Sequence, residues 1–151
     1  SIPAIERLFH MGELRVFSPA SYIIPHDIQI LLNMTDILIV NSQEWDMIKD
    51  LGYTIPGTTV VVVTSGSGDI IAKTEGRLIK QRTYPADVVD TTGAGDAFCA
   101  GFIHGILEDK KIEESLKLGA AMAALNISKM GGRCGLPTRE ELYRFLEKWE
   151  K

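Results

Sequence analysis

Residues 88–98 combine small residues, hydroxyls and two carboxylates in an order that suits phosphate chemistry. The run reads Val-Val-Asp-Thr-Thr-Gly-Ala-Gly-Asp-Ala-Phe, and an apolar helical pattern continues after it. A helix that begins near Ala94 leaves its first N–H groups free, and Gly93 and Gly95 keep side-chain bulk away from them. Such a helix start binds anions. Asp96 lies in the first turn, where a carboxylate either caps the helix or acts as a base next to a bound phosphate.

Two other glycine motifs are excluded by single positions. A P-loop closes with Gly-Lys-Ser/Thr, whereas Gly95 is followed by Asp96. A dinucleotide fingerprint needs a third glycine where Phe98 stands, which disfavours an oxidoreductase. The run from Asp90 to Phe98, with Ala-Gly-Phe at 100–102, instead closely resembles the C-terminal signature of the ribokinase-like (PfkB) carbohydrate and nucleoside kinases.

That resemblance implies ATP-dependent phosphorylation of a hydroxyl group on a small acceptor, which is a sugar, a sugar acid or a nucleoside. It also implies that Gly93, Ala94, Gly95 and Asp96 form the anion hole, with Asp96 as the base. Phosphoryl transfer needs positioning, neutralised charge at the γ-phosphate and a base near the attacking hydroxyl. The rival hypothesis is a nucleotide-binding module without turnover.

The length of the chain qualifies this expectation. Members of the resembled family are considerably longer and carry the signature in their second half, whereas this chain has 151 residues. We therefore expect a single portion, residues 1–151, that is the C-terminal, nucleotide-binding part without the N-terminal substrate and lid half. A natural half-length homologue is the alternative.

A second group of polar residues, Asn-Ser-Gln-Glu at 41–44, follows a strand pattern and opens a helix pattern. From residue types alone it is a capping box, in which the Asn41 and Glu44 side chains satisfy free N–H groups. The PfkB resemblance adds another role, because an Asn-x-x-Glu motif stands at this place in the family. Glu44 then helps to position Mg²⁺ through water, and Asn41 contributes to nucleotide binding. Mg²⁺ prefers oxygen ligands and retains waters, which suits a single indirect carboxylate.

The segment 64–69, Thr-Ser-Gly-Ser-Gly-Asp, ends another buried strand pattern. Ligands of open α/β sheets bind outside the carboxyl ends of strands, although a turn into a hairpin explains the same residues. The family has a Thr-x-Gly-x-x-Gly pattern along the nucleotide here, and Thr64 and Gly66 match it. Asp69 stands where the last glycine is expected, so Gly68, one residue early, is the remaining candidate for that contact.

Three further positions have both a structural and a ligand-binding interpretation. Asp90 and Thr92 suit turn formation and capping. In cation-activated members of the resembled family, these positions hold a monovalent ion such as K⁺ together with backbone carbonyls. The corresponding carbonyls here are those near Asn126, Lys129 and Gly131. Ala120 lies in the run Gly-Ala-Ala-Met-Ala-Ala, which admits either close helix packing or a flat ligand such as the nucleotide.

The elements that must position these residues follow from the apolar pattern. Helical patterns cover residues 3–11, 25–33, 42–51, 94–108 and 112–129, and a last helix follows a capping box at 138–141. Strand patterns cover residues 14–17, 36–40 and 59–64, then 69–73 and 77–84 around a turn at 74–76. The alternation predicts parallel strands with right-handed crossovers, hence a three-layer α/β/α sandwich with a mainly parallel sheet.

The same patterns predict which side chains are buried. Inward positions are Ile5, Leu8 and Phe9 of the first helix, Ile28, Leu31 and Leu32 of the second, and Leu142, Phe145, Leu146 and Trp149 of the last. Cys99 is expected to be a small buried residue of the first long helix.

Composition narrows the class of protein. A net charge of −4 argues against general nucleic-acid or membrane-surface binding, and we expect no membrane span or signal peptide. Cys99 and Cys134 are too few for a disulfide framework, which favours a cytoplasmic location. The three histidines have no metal-ligand spacing. The sequence leaves a homodimer open.

Overall fold

The computed structural model describes residues 2–21, 24 and 26–149. The helices are α1 (Ile2–Met11), α2 (Gln29–Met34), α3 (Ser42–Asp50), α4 (Ala94–Leu107), α5 (Ile112–Asn126) and α6 (Arg139–Trp149). The strands are β1 (Val16–Phe17), β2 (Ile37–Asn41), β3 (Val60–Thr64), β4 (Ile70–Thr74) and β5 (Arg77–Gln81). Contacts divide the chain into two compact units. The first unit reaches to Gly66 and includes Ile71–Lys80, and the second comprises Ser67–Ile70 and the chain from Gln81 onward.

A five-stranded sheet in the order β1-β2-β3-β4-β5 organises the first unit. β1, β2 and β3 are parallel, whereas β3 and β4 are antiparallel. The predicted α/β class with a mainly parallel sheet is therefore confirmed. β2 is buried on both faces, since none of its four apolar residues is more than 4% exposed, as expected for a parallel strand covered by helices.

The core of the first unit confirms most of the predicted inward positions. Ile28, Leu31 and Leu32 are fully buried, and Ile5 and Phe9 pack against the core. The prediction for Leu8 is wrong, because this side chain is 65% exposed. Ile2, Ile5 and Phe9 form the inward stripe of α1, and Leu8 lies about a quarter of a turn away from it.

Several element boundaries differ from the prediction. The first strand is reduced to two residues, and α2 begins at Gln29 rather than at Pro25, which lies outside the described residues. The β4–β5 turn has two residues instead of three. Glu75 and Gly76 both adopt positive φ, 44° and 79°, as the two central residues of a tight hairpin turn do.

The second unit is built on the α4–α5 pair. A Cβ atom at Gly101, Gly105 or Gly119 would lie within 3 Å of atoms on the partner helix. The small-residue run on α5 therefore serves close helix packing, and Ala120, only 3% exposed, belongs to that packed interior. Cys99 is half-buried rather than buried, because Phe98 and Phe102 occupy the inward face of α4.

The end of α5 and the last helix, α6, confirm some predictions and correct two others. α5 ends at Asn126, three residues earlier than predicted. The capping box before α6 is confirmed, because the Thr138 and Glu141 side chains each accept from the other residue's backbone N–H. Leu142 and Leu146 are buried as predicted, but Trp149 is 49% exposed, with its ring 5.9 Å from that of Tyr84. None of the helices in the described residues has the length and apolar composition that a bilayer span requires.

Candidate functional site

Residues 90–96 of the second unit form the glycine turn, which leads directly into α4. Gly93 is the N-cap residue, with φ 75° and ψ 7°, a left-handed conformation that glycine adopts at little cost. The Ala94 N–H donates to the Thr91 carbonyl at 3.2 Å, and the Ala97 N–H donates to the Gly93 carbonyl at 2.9 Å. The N–H groups of Gly95 and Asp96, which lie between these two bonds in the first helical turn, donate to no backbone carbonyl among the described residues.

The surface above the glycine turn is open. Apart from the chain neighbours of Gly95 and the backbone of its own helix, no atom of the described residues lies within 4 Å of the place where a Cβ would stand at Gly95. Both Gly95 and Asp96 are exposed. Gly93 has no side chain to cap the helix, and within the described part of the chain the Asp96 carboxylate has no hydrogen-bond or ion-pair partner. The turn thus presents free N–H groups and a free carboxylate side by side.

Four hydrogen bonds join residues 89–92 to the end of α5 and the loop after it, and we call these four bonds the clamp. The N–H groups of Val89 and Asp90 both donate to the Ile127 carbonyl, at 2.8 and 3.2 Å. The Gly131 N–H donates to Asp90 Oδ2 at 2.8 Å, and Asn126 Nδ2 donates to the Thr92 carbonyl at 3.1 Å. The Ile127 carbonyl thus accepts N–H groups of another segment and does not continue the helical hydrogen-bond pattern, which explains why α5 ends before the predicted residue.

Asp90 acts as a turn former within this arrangement. Its Oδ1 accepts the Thr92 N–H at 2.9 Å, while its Oδ2 accepts the Gly131 N–H. These N–H donors, those of Thr92 and Gly131, stabilise the ionised carboxylate and lower the pKa of Asp90 below its ordinary value of 3.8. The structural interpretation of Asp90 is therefore observed, while a role for Asp90 and Thr92 in holding a monovalent cation stays a prediction.

Asn41, Glu44 and Thr64 of the first unit meet at the carboxyl ends of two neighbouring parallel strands, and we call them the strand-end site. Asn41 and Thr64 are register partners in β2 and β3. The predicted capping box is present, since Asn41 Oδ1 accepts the Glu44 N–H and Glu44 Oε2 accepts the Asn41 N–H, each at 2.9 Å. The Thr64 hydroxyl donates to the Val40 carbonyl at 3.4 Å.

Sequence reasoning missed two residues that contact these sites. The Ser21 hydroxyl donates to Glu44 Oε1 at 3.2 Å, and the rule that ligands bind at carboxyl ends of strands could have found it, because Ser21 follows β1. For Asn126 the sequence indicates only a backbone carbonyl, and no local pattern distinguishes its side chain from an ordinary helix-end asparagine.

The structure groups the remaining predicted residues only within each unit. Gly66, with φ 57°, is exposed after β3 in the first unit, and Gly68 is exposed in the second. Ala120 is buried in α5 and presents no accessible side chain to a ligand. No cluster of three or more His, Cys, Asp or Glu side chains suitable for a metal occurs in the parts of the chain that are described.

Comparisons of the sequence with protein families and with curated proteins both find carbohydrate kinases. Residues 4–139 match the pfkB family carbohydrate kinases. An uncharacterized sugar kinase of Archaeoglobus fulgidus is 40% identical over 118 residues, which are 74% of this chain and 47% of that protein. A ribokinase of Haemophilus influenzae is 28% identical over 130 residues, 78% of this chain and 42% of the relative. The chain thus spans a little less than half the length of these curated relatives.

Solved structures support the same fold. The Arabidopsis thaliana ribokinase complexed with ribose and ATP superposes with a TM-score of 0.82 at 26% identity. The superposition covers 97% of this chain and 51% of that protein. The fold of the chain therefore corresponds to about half of a ribokinase-like structure.

Proposed function

The chain belongs to the pfkB family of carbohydrate kinases, and we propose that it is the phosphate-binding and catalytic part of an ATP-dependent kinase. The acceptor is a hydroxyl group of a sugar, a sugar acid or a nucleoside. The observation that carries this proposal is the glycine turn, where a left-handed Gly93 opens α4 and exposes free N–H groups beside the unpaired Asp96 carboxylate.

In the proposed phosphoryl transfer, Asp96 and the backbone N–H groups of the glycine turn have different roles. The acceptor oxygen forms a bond to the γ-phosphorus, the bond from that phosphorus to the oxygen that leaves with ADP breaks, and Asp96 takes the hydroxyl proton. The backbone N–H groups of Gly93, Ala94 and Gly95 stabilise the charge on the phosphoryl oxygens. The N–H groups of Gly93, Gly95 and Asp96 donate to no backbone carbonyl among the described residues, whereas that of Ala94 already has the Thr91 carbonyl as a partner.

We assign the nucleotide and Mg²⁺ to the strand-end site, where Asn41 and Thr64, with Gly66 of the same unit, contact the nucleotide and Glu44 lies near the metal. Gly68 of the second unit is a separate candidate for a nucleotide contact. Mg²⁺, when bound, neutralises charge on the phosphates. Each Glu44 oxygen accepts one hydrogen bond and keeps further lone-pair capacity, so a water-mediated contact fits this carboxylate. For K⁺ the assigned residues are Asp90 and Thr92, and the lowered pKa of Asp90 keeps its carboxylate ionised at neutral pH.

A nucleotide-binding module without turnover is the second candidate. The observation that favours it is coverage, because the chain matches only 42–47% of the length of the two curated kinases above. A module of this kind binds ATP·Mg but transfers no phosphoryl group.

Substitution Asp96→Asn separates the two candidates when it is made in the longest protein that carries this sequence. We expect unchanged folding and equal or tighter ATP binding, because a negative charge near the γ-phosphate is removed. Turnover should fall by roughly 10²–10⁴-fold, the usual contribution of a positioned general base. Binding is measured by calorimetry with ATP·Mg, and turnover by ADP release with a panel of sugars and nucleosides.

The control is Glu114→Gln, which removes an acid from the first turn of α5 and so reproduces the loss of a favourable helix-dipole contact. This variant should keep wild-type turnover. Near wild-type turnover in Asp96→Asn would show that Asp96 is not the base and only stabilises the start of the helix. ATP binding with no transfer in any form would establish the binding module.

A further inference from the structure

Asn126, at the C-terminal end of α5, is completely buried although its side chain is polar. Its Nδ2 donates to the Thr92 carbonyl at 3.1 Å, while its Oδ1 has no hydrogen-bond partner within the described residues. The opposite amide orientation would set two oxygens against each other, so the donor must face Thr92. A buried acceptor without a partner is costly, and a leucine would fill similar space without it. The donor to Thr92 is thus the favourable contact that the amide makes.

This contact acts on the glycine turn through a rigid unit. The Thr92 carbonyl and the Gly93 N–H belong to one planar trans peptide, so they point in opposite directions. A bond that holds the carbonyl toward Asn126 therefore directs the Gly93 N–H away from the end of α5. Gly93 also approaches Gly132 so closely that a Cβ would lie 2.8 Å from the Gly132 carbonyl oxygen.

The neighbouring contacts fix other peptides of the turn. Asp90 Oδ1 holds the Thr92 N–H, and the Thr91 carbonyl holds the Ala94 N–H. Neither bond acts on the peptide that joins Thr92 to Gly93. Among the described residues, the Asn126 side chain supplies the hydrogen bond to that peptide's carbonyl.

We propose that Asn126 is a positioning residue for phosphoryl transfer, which holds the Gly93 N–H in the direction that the glycine turn needs to bind phosphate. The proposal rests on the proposed function for its catalytic consequence. Asn126 is buried and acts through the Thr92–Gly93 peptide.

The first test needs no nucleotide. In ¹H–¹⁵N spectra of the protein, Asn126→Leu should shift or broaden the Gly93 resonance and speed hydrogen exchange around it. The matched control is Ser115→Ala, which also removes a buried polar group of α5, but one whose hydroxyl donates to the Lys111 carbonyl. The control should leave the Gly93 resonance at its wild-type position. If Asn126→Leu does not fold, Asn126→Ala, which adds no bulk, decides the result. A wild-type Gly93 resonance in a folded Asn126 variant overturns the proposal.

The second test measures kinetics in the longest protein that carries this sequence. Asn126→Leu should lower kcat by about 10- to 100-fold, less than or comparable to the loss of a complete transition-state donor, and leave the acceptor KM unchanged. A lower thermal midpoint with unchanged kcat would indicate a merely structural role and contradict the proposal. Absence of transfer in the wild-type protein would instead contradict the proposed function, while the spectra still decide whether Asn126 orients the turn.

Discussion

Both oxygens of the Glu44 carboxylate have hydrogen-bond partners within the first unit. Oε2 accepts the Asn41 N–H and Oε1 accepts the Ser21 hydroxyl, so the carboxylate is held from two sides at the end of β2. A side chain held in this way loses little further entropy when it orders a water molecule. The geometry thus suits both a capping box and an indirect Mg²⁺ contact, and substitution can separate these roles.

For Glu44→Gln we expect little change in stability, because glutamine also completes a capping box. In the longest protein that carries this sequence, turnover should fall and the Mg²⁺ concentration for half-maximal activity should rise, since the carboxylate charge is lost. The control is Glu141→Gln, which alters the capping-box glutamate of α6. Magnesium titrations of the two variants give the comparison. Overlapping titrations of wild type and Glu44→Gln would leave Glu44 with its capping role alone.

The α4–α5 pair determines where the glycine turn lies, and its closest contacts are made at glycines. A Cβ at Gly119 would lie 2.8 Å from the Phe98 ring and 2.9 Å from the Phe98 carbonyl oxygen. Both helices would have to separate to admit even a methyl group, since packed interiors leave no space for it. The pair is therefore sensitive to bulk at this crossing and tolerant of it at the open first turn of α4.

The same substitution at two glycines should have opposite effects on stability. Gly119→Ala should lower the free energy of unfolding by about 1–3 kcal/mol through overpacking. Gly95→Ala places its methyl group where none of the described residues outside its own helix has an atom within 4 Å. It should be neutral or raise stability by up to roughly 1 kcal/mol, because alanine favours helix. Urea denaturation of both variants provides the measurement. Equal stability of the two variants would show that the helices are not in close contact at Gly119.

Local patterns predicted the elements well where burial and capping are decided within a few residues. The two capping boxes, the buried β2 strand and the inward face of α2 are examples. The end of α5 could not be predicted, because Ile127 turns its carbonyl to two N–H groups almost forty residues earlier in the sequence. The exposure of Leu8 could not be predicted either. The apolar residues of α1 are compatible with more than one inward face, and the structure selects the one formed by Ile2, Ile5 and Phe9.

The candidate site was predictable to a similar extent. The glycine turn and the strand-end residues carry motif spacing, and the structure places them at a helix start and at strand ends. The side-chain hydrogen bond of Asn126 has no such signal, because its partner Thr92 is distant in sequence, and Ser21 is indicated only by its place after β1. The roles proposed for Asp96, Glu44 and Asn126 stay predictions until the variants above are measured.

Three carboxylates across the two units link the stability of the protein to acid. Asp36 forms a two-pronged ion pair with Arg15, Asp90 accepts two backbone N–H groups, and Glu141 accepts from Thr138. The Arg15 hydrogen bonds, the N–H donors at Asp90 and the Thr138 donors lower the pKa values of these groups from 3.8, 3.8 and 4.5. Each folded-state pKa lies below the unfolded one, so the unfolded chain binds more protons as pH falls.

We therefore expect stability from these groups to be complete above about pH 5 and to be lost progressively as pH falls below their ordinary values. Thermal melting between pH 7 and pH 3 measures this. The variant Asp36→Asn should melt lower at pH 7 and show a smaller decline toward pH 3, because its contribution to the acid loss is removed. A flat melting temperature over this range, or an equal decline in the variant, would contradict the linkage.

The clamp also bears on the order in which the protein folds. Its side-chain contacts join residues 34 and 41 positions apart, whereas α4 and α5 each form through contacts within a few residues. Closing a long loop lowers the entropy of the chain before the contact provides any stabilising energy, so contacts between distant residues form after local ones. The glycine turn should consequently adopt its final conformation late, after α4 and α5 have packed together. Separation of α4 from α5 should then also break the clamp and release the turn, so a ligand bound at the turn should oppose that separation.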